Sequence, residues 1–163
     1  MIRGMPAPKY TLDAFKLSPP LIRRLVLQIP VHRYDEVLQP GRFSPREVIA
    51  HLADWDPIFR ERLAGAAANP GYTIRGYDES QMAIDHLYDE SDITLELEKF
   101  TNERAGTVAV LSGLSEADWK LGFVHPEMGP YTIREYLAML VGHDMYHAEQ
   151  LSEYMEEKTA ATW

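Results

Sequence analysis

Hydrophobic residues recur at helical spacing in four long stretches, and turn residues separate them. In the first, Leu21, Ile22, Leu25, Val26 and Ile29 share a helix face. Ser18 reads as its N-cap, Pro19 and Pro20 as its first turn, and Pro30 as its stop. The second opens at Ser44-Pro45-Arg46-Glu47, which has the form of a capping box. Val48, His51, Leu52, Trp55, Ile58 and Phe59 then form one stripe, and Asn69-Pro70-Gly71 ends it. Pro57 lies inside this pattern and predicts either a kink or a restart capped by Asp56.

Asp78 and Gln81 have cap spacing, which predicts a short helix over 79–87. The third long helix is expected over about 92–112, with Ile93, Leu97, Phe100, Arg104, Val108 and Leu111 on one face. Residues 115–118 read as a single helical turn, and residues 125–130 as a loop. Thr132 and Glu135 form a second capping box. Behind it, Ile133, Tyr136, Leu137, Leu140, His143, His147, Leu151 and Tyr154 run down one stripe to about residue 156. Residues 158–163 read as a frayed tail, and strand signals are weak throughout. The economical fold is all-α: an antiparallel four-helix bundle with a long connection between helices 2 and 3. One domain over residues 1–163, with its core in about 18–155, suits a chain of 163 residues.

Composition narrows the chemistry. There is no cysteine, which removes disulfides, thiolate metal sites and cysteine nucleophiles. The net charge of −9 opposes phosphate backbones, so nucleic acid is not an expected partner. No apolar run reaches membrane-spanning length and no secretory h-region is visible, so no membrane partner is expected and a cytoplasmic location is.

The histidines carry the functional signal. His143 and His147 are one helical turn apart and project from the same face. They lie on an apolar stripe, where unpartnered imidazoles would be costly. His51 lies on the inner stripe of the second helix. Three inward imidazoles from two helices can converge on a zinc, nickel or iron(II) ion and leave a coordination position open. Metal-bound imidazoles donate their other N–H to an acceptor, and Glu47, Asp54 and Asp144 are each near enough in sequence to serve. His32, His86 and His125 read as surface or loop residues.

The segment Arg42-Phe43-Ser44-Pro45-Arg46-Glu47-Val48-Ile49-Ala50-His51-Leu52-Ala53-Asp54 resembles the helix-two signature of the DinB-like, or YfiT-like, family. Tyr131-Thr132-Ile133-Arg134-Glu135 followed by Gly142-His143-Asp144-Met145-Tyr146-His147-Ala148-Glu149-Gln150-Leu151 resembles its last helix. Tyr77-Asp78-Glu79 and Leu114-Ser115-Glu116-Ala117-Asp118-Trp119 also match the family's habits, so the likeness spans about 18–155. It implies a four-helix bundle in which His51, His143 and His147 hold a divalent ion, often zinc or nickel. Tyr146 departs from the commonest pattern, a further histidine, but lies off the ligand face.

The resemblance also implies a homodimer in many members. Their activities include thiol S-transfer and an isomerisation that uses a low-molecular-weight thiol, and others are called metal-dependent hydrolases from the site alone. Two classes of function follow for a small-molecule substrate. One is a metal-dependent transferase or hydrolase, in which the ion favours a thiolate or makes water acidic near pH ~7. The other is a non-catalytic metal- or small-ligand-binding stress protein. Tyr72, Tyr77, Asp78 and Gln81 lie in the long connection, which could cap the pocket.

Overall fold

The computed structural model describes residues 7–155. Four long helices, α1 (Lys9–Val26), α2 (Pro45–Ala68), α4 (Ile93–Ser112) and α5 (Ile133–Ser152), make a four-helix bundle; the short α3 (Glu79–Asp85) lies in the connection before α4. A hairpin of β1 (Gly122–His125) and β2 (Gly129–Thr132) precedes α5. The proposed tail at 158–163 lies outside the described residues.

Local chemistry sets most helix ends as expected. Ser44 and Glu47 complete one reciprocal capping box, and Thr132 and Glu135 the other. Asp92 caps α4 through the Leu95 amide, and Asp78 caps α3 through the Gln81 amide. Helix α5 stops at Ser152, a turn short of the expected end.

The start of α1 corrects the sequence reading. The helix begins ten residues before Pro19 and runs straight through both prolines. Ser18 is therefore no N-cap: its hydroxyl donates to the Ala14 carbonyl one turn back, at 3.2 Å. Pro57 likewise sits inside an unbroken α2, with no restart. Asp56 is a buried acid rather than a cap. The expected turn at 115–118 becomes a capped turn leading into a 3₁₀ turn, Asp118–Lys120.

The hairpin also replaces an expected loop. Its antiparallel register pairs Gly122 with Thr132, Phe123 with Tyr131, Val124 with Pro130 and His125 with Gly129. Three residues turn the chain, and Gly129 supplies the positive φ of 84° that such a turn needs. Strands of four residues are too short to show period-two alternation.

The core falls into two parts. One is built around Ile22, Val26, Val48, Leu52, Leu97, Phe100 and Leu151. The other is built around Phe15, Phe59, Leu63, Trp119, Phe123, Tyr136 and Leu140. Between them lies a buried polar layer to which every long helix contributes: Ser18, His51, Asp56, Arg104, Thr107, Asp144 and His147. Helices α2 and α4 pass from the first core to the second, whereas α1 and α5 pass from the second to the first. The bundle is thus two parallel pairs, α1 with α5 and α2 with α4, set antiparallel to each other. The long connection over 69–92 makes this arrangement possible, because it carries the chain back the length of the bundle between α2 and α4.

Candidate metal centre

The polar layer brings His51 from α2 against His143 and His147 from α5. Their ring centres lie 5.2 Å (His51–His143), 4.9 Å (His51–His147) and 4.6 Å (His143–His147) apart. One ligand nitrogen from each lies within 4.8 Å of the other two. His51 Nε2 faces His143 Nε2 at 3.0 Å. Two nitrogens each ~2.1 Å from a shared ion, at bond angles of 90–110°, are separated by roughly 3.0–3.4 Å, so this spacing fits common ligation.

His147 is oriented by a short relay. Its Nδ1 meets Gln150 Oε1 at 3.0 Å, and Gln150 Nε2 donates to the Phe43 carbonyl at 2.8 Å. With Nδ1 carrying the proton, Nε2 keeps its lone pair for an ion. Spacing of three along α5 makes the first contact, and the loop before α2 anchors the second.

Burial keeps the His51 and His147 rings neutral. His51 is 1% exposed and His147 4%. Desolvation, reinforced by the neighbouring imidazoles, pushes the His51 pKa well below its usual value. The same causes, burial first and His143 second, bring His147 down to about 4, although Gln150 pulls the other way. Neutral imidazole is the form that ligates metal. The Nδ1 atoms of His51 and His143 are buried without a hydrogen-bond partner among the described residues. Glu79 Oε1 stands 3.6 Å from the first and Asp144 Oδ1 3.8 Å from the second, just beyond hydrogen-bond length. A donor set of three imidazoles, with carboxylates waiting behind two of them, fits a divalent ion.

The three acids suggested by sequence have different fates. Glu47 is occupied by the α2 cap, where it accepts from the Ser44 amide at 2.8 Å. Asp54 accepts from Tyr88 Oη at 2.9 Å, pairs with His86 at 2.5 Å and meets Lys99 at 3.3 Å, away from the triad. Positions 47 and 54 lie one turn to either side of His51 on the same helix face, but these other partners hold both carboxylates. Asp144 alone stays near, with its carboxylate held by Arg104 at 2.7 and 3.2 Å. Arg104 also donates to Asp56 at 2.6 Å, and Thr107 donates to the other Asp56 oxygen. Burial alone would raise the Asp144 pKa, but Arg104, together with the neighbouring His143 and Ser18 side chains, holds that carboxyl below its ordinary value. For Asp56 burial wins and the pKa rises.

A cleft of about 220 Å³ opens beside the histidines. Trp55, Phe59 and Tyr136 wall it, while Arg62, Tyr77, Glu79 and His125 supply polar atoms, and His51 and His143 sit at its inner end. His125 therefore lines this cleft rather than a remote loop, because the hairpin folds it back. His32 is exposed, and His86 is taken up by Asp54. Of the connection residues, Tyr77 reaches the cleft. Tyr72 donates to the Arg62 carbonyl at 3.1 Å, Asp78 caps α3, and Gln81 bonds Asp85 at 2.7 Å. Spacing in the sequence does not mark Arg62, Glu79 or Gln150 as site residues. Only Gln150, three residues after His147, carried a local signal.

Comparison with known proteins agrees with this geometry. The DinB superfamily model matches residues 14–151. A protein of Oceanobacillus iheyensis named "Putative metal-dependent hydrolase" is 29% identical over 145 residues, covering 86% of this chain and 81% of that protein. A Bacillus licheniformis protein of the same name is 26% identical over 144 residues, with 85% and 80% coverage. YfiT from Bacillus subtilis, described as a probable metal-dependent hydrolase with an unusual four-helix bundle topology, superposes with a TM-score of 0.84 at 21% identity. That match covers 94% of this chain and 90% of YfiT and shows a shared fold. With the family model spanning nearly all of the described bundle, the chain belongs to the DinB superfamily.

Proposed function

We propose that the protein is a metal-dependent hydrolase of small molecules, with His51, His143 and His147 as the ligands of one divalent ion, zinc or nickel. The observation that carries this reading is the convergence of three imidazoles, two of which, His51 and His143, line an open cleft. When bound, the ion supplies Lewis acidity, polarising a carbonyl and making water nucleophilic near neutral pH.

The chain's own residues supply the rest. Gln150 fixes the His147 ring, and Asp144, itself fixed by Arg104, stands behind His143. Glu79 is half exposed in the cleft, with Oε1 3.6 Å from His51 Nδ1. It is placed to orient that imidazole and to accept a proton from water beside it. Trp55 and Phe59 exclude bulk water from one wall, which strengthens every charge interaction inside.

Transfer of a small thiol is a second chemistry for the same site. Without cysteine in the chain, the sulfur would come from a thiol cofactor. The relatives' names favour hydrolysis. The test is metal analysis of the purified protein, followed by turnover of ester and amide panels and of thiol–electrophile pairs. Metal-dependent ester or amide cleavage that His51→Ala abolishes supports hydrolysis. Turnover confined to the thiol pairs replaces it with S-transfer. Absence of turnover in metal-loaded protein leaves a non-catalytic binding protein. Gel filtration with light scattering tests the homodimer expected from the resemblance, and fractionation of source cells tests the cytoplasmic location.

A further inference from the structure

Arg62 is a buried cation whose only hydrogen-bond partners among the described residues are neutral oxygens. Its side chain is enclosed, with the residue 6% exposed, yet it lines the same cleft as His51 and His143. Nη1 donates to Tyr136 Oη at 2.8 Å and Nη2 to the Arg75 carbonyl at 3.1 Å. Its Nε–H is buried and has no partner among the described residues. No carboxylate forms an ion pair with it among the described residues, whereas the other deeply buried guanidinium of the site, Arg104, is matched by two. A guanidinium withdrawn from water without an anion is costly, and its planar fork suits a two-oxygen partner.

We infer that Arg62 is the recognition site for a carboxylate carried by the substrate. The inference deepens the proposed hydrolase reading by naming the substrate class. Trp55 sets the spacing: its ring centre lies 5.8 Å from Arg62 Cζ and 5.7 Å from the His51 ring centre. A substrate anchored at Arg62 thus lies along the indole face with its other end toward the histidines. The aromatic walls suit a flat or apolar body. The charge count favours a monoanion. One guanidinium balances one carboxylate, while a phosphate dianion would place a second negative charge near Glu79 and Glu127, which also line the cleft.

The test is binding of benzoate, with benzamide as its uncharged counterpart, measured by calorimetry on metal-loaded protein and again after chelation. Benzoate is expected to bind at least tenfold more tightly than benzamide in both forms. Arg62→Met should lose that preference. Arg62→Lys should keep part of it, and Arg75→Met, at the exposed arginine nearby, should keep it all. In the unaltered protein, the Arg62 Nε–H resonance should shift on adding benzoate, which keeps the test valid even if Arg62→Met fails to fold. Equal affinity for both ligands, or a preference that survives in Arg62→Met, overturns the inference. So does a preference that vanishes on chelation, since the carboxylate then sits on the ion. Metal titration of the same samples judges the histidine site separately, so either idea can fail alone.

Discussion

The main-chain carbonyl of Phe15 accepts a 2.8 Å hydrogen bond from the Arg104 guanidinium, and Pro19 is the reason it is free to do so. In an uninterrupted helix the amide four residues on would occupy that carbonyl, but proline has no N–H to offer. The proline that would ordinarily end α1 instead opens an acceptor in the middle of the bundle. Arg104 takes it, lies 3.6 Å from the Phe15 ring centre, and reaches on to Asp56 and Asp144.

Loss of Arg104 should accordingly be costly to the fold. Arg104→Met leaves two buried acids and one carbonyl without their cation. Breaking a buried ion pair from one side costs about 3–5 kcal/mol. Urea denaturation should show a loss of that order, and a midpoint close to that of the parent would contradict this account. Adding Asp56→Asn to the variant should recover part of the loss.

Metal should stabilise the bundle through α2 and α5 together. At a hundredfold excess over the dissociation constant, an ion that binds only the folded state adds about 2.7 kcal/mol. Thermal melting with and without zinc or nickel should show this in the parent and in His32→Gln, and show none in His147→Ala. Equal shifts in all three proteins would remove the histidines from the binding site.

Gln150 should matter for affinity more than for folding. Gln150→Leu removes the acceptor that orients His147, and loss of such a partner lowers metal affinity by about 10–100-fold. Competition against a zinc-binding dye measures this directly. Unchanged affinity would mean that the relay to Phe43 does not set the imidazole.

Stability of the chelated protein should fall on mild acidification. The unfolded chain protonates His51 and His147 as pH drops through 6.5, while in the folded protein burial and the neighbouring imidazoles hold His147 neutral down to about 4. The unfolded state therefore binds more protons within that window, and stability declines from about pH 6.5 toward pH 4. Urea midpoints at pH 7.5, 6 and 5 test the sign. The slope should flatten in a His51→Gln/His147→Gln double variant, and an equally steep slope there would assign the effect to other groups.

Gly122→Ala should damage the hairpin. A Cβ at this position collides with the Tyr131 carbonyl on the paired strand, and backbone has little room to yield. A loss of about 1–3 kcal/mol is expected from such overpacking. A melting point equal to the parent's would show that the strands separate without cost.

What the sequence alone determined is chemistry that acts over one helical turn. Ser44 with Glu47 and Thr132 with Glu135 are three residues apart, so capping rules place the starts of α2 and α5 without knowledge of the fold. The inward face shared by His143 and His147 follows from helical periodicity in the same way, as does the inner position of His51 on its stripe.

The tertiary structure decided everything that depends on a partner distant in sequence. Proline at 19 stops a helix by local rules, yet α1 continues because packing of the whole helix outweighs one lost hydrogen bond and Arg104, 89 residues from Phe15, takes up the carbonyl. Glu47 and Asp54 are close to His51 along the chain, but among the described residues the carboxylate that stands beside its ring nitrogen is that of Glu79, delivered by the connection between α2 and α4. Arg62 reads in the sequence as one more charge on a helix. Only folding encloses it beside the histidines without an anion, because burial and pairing are properties of the three-dimensional surroundings rather than of neighbours in the chain.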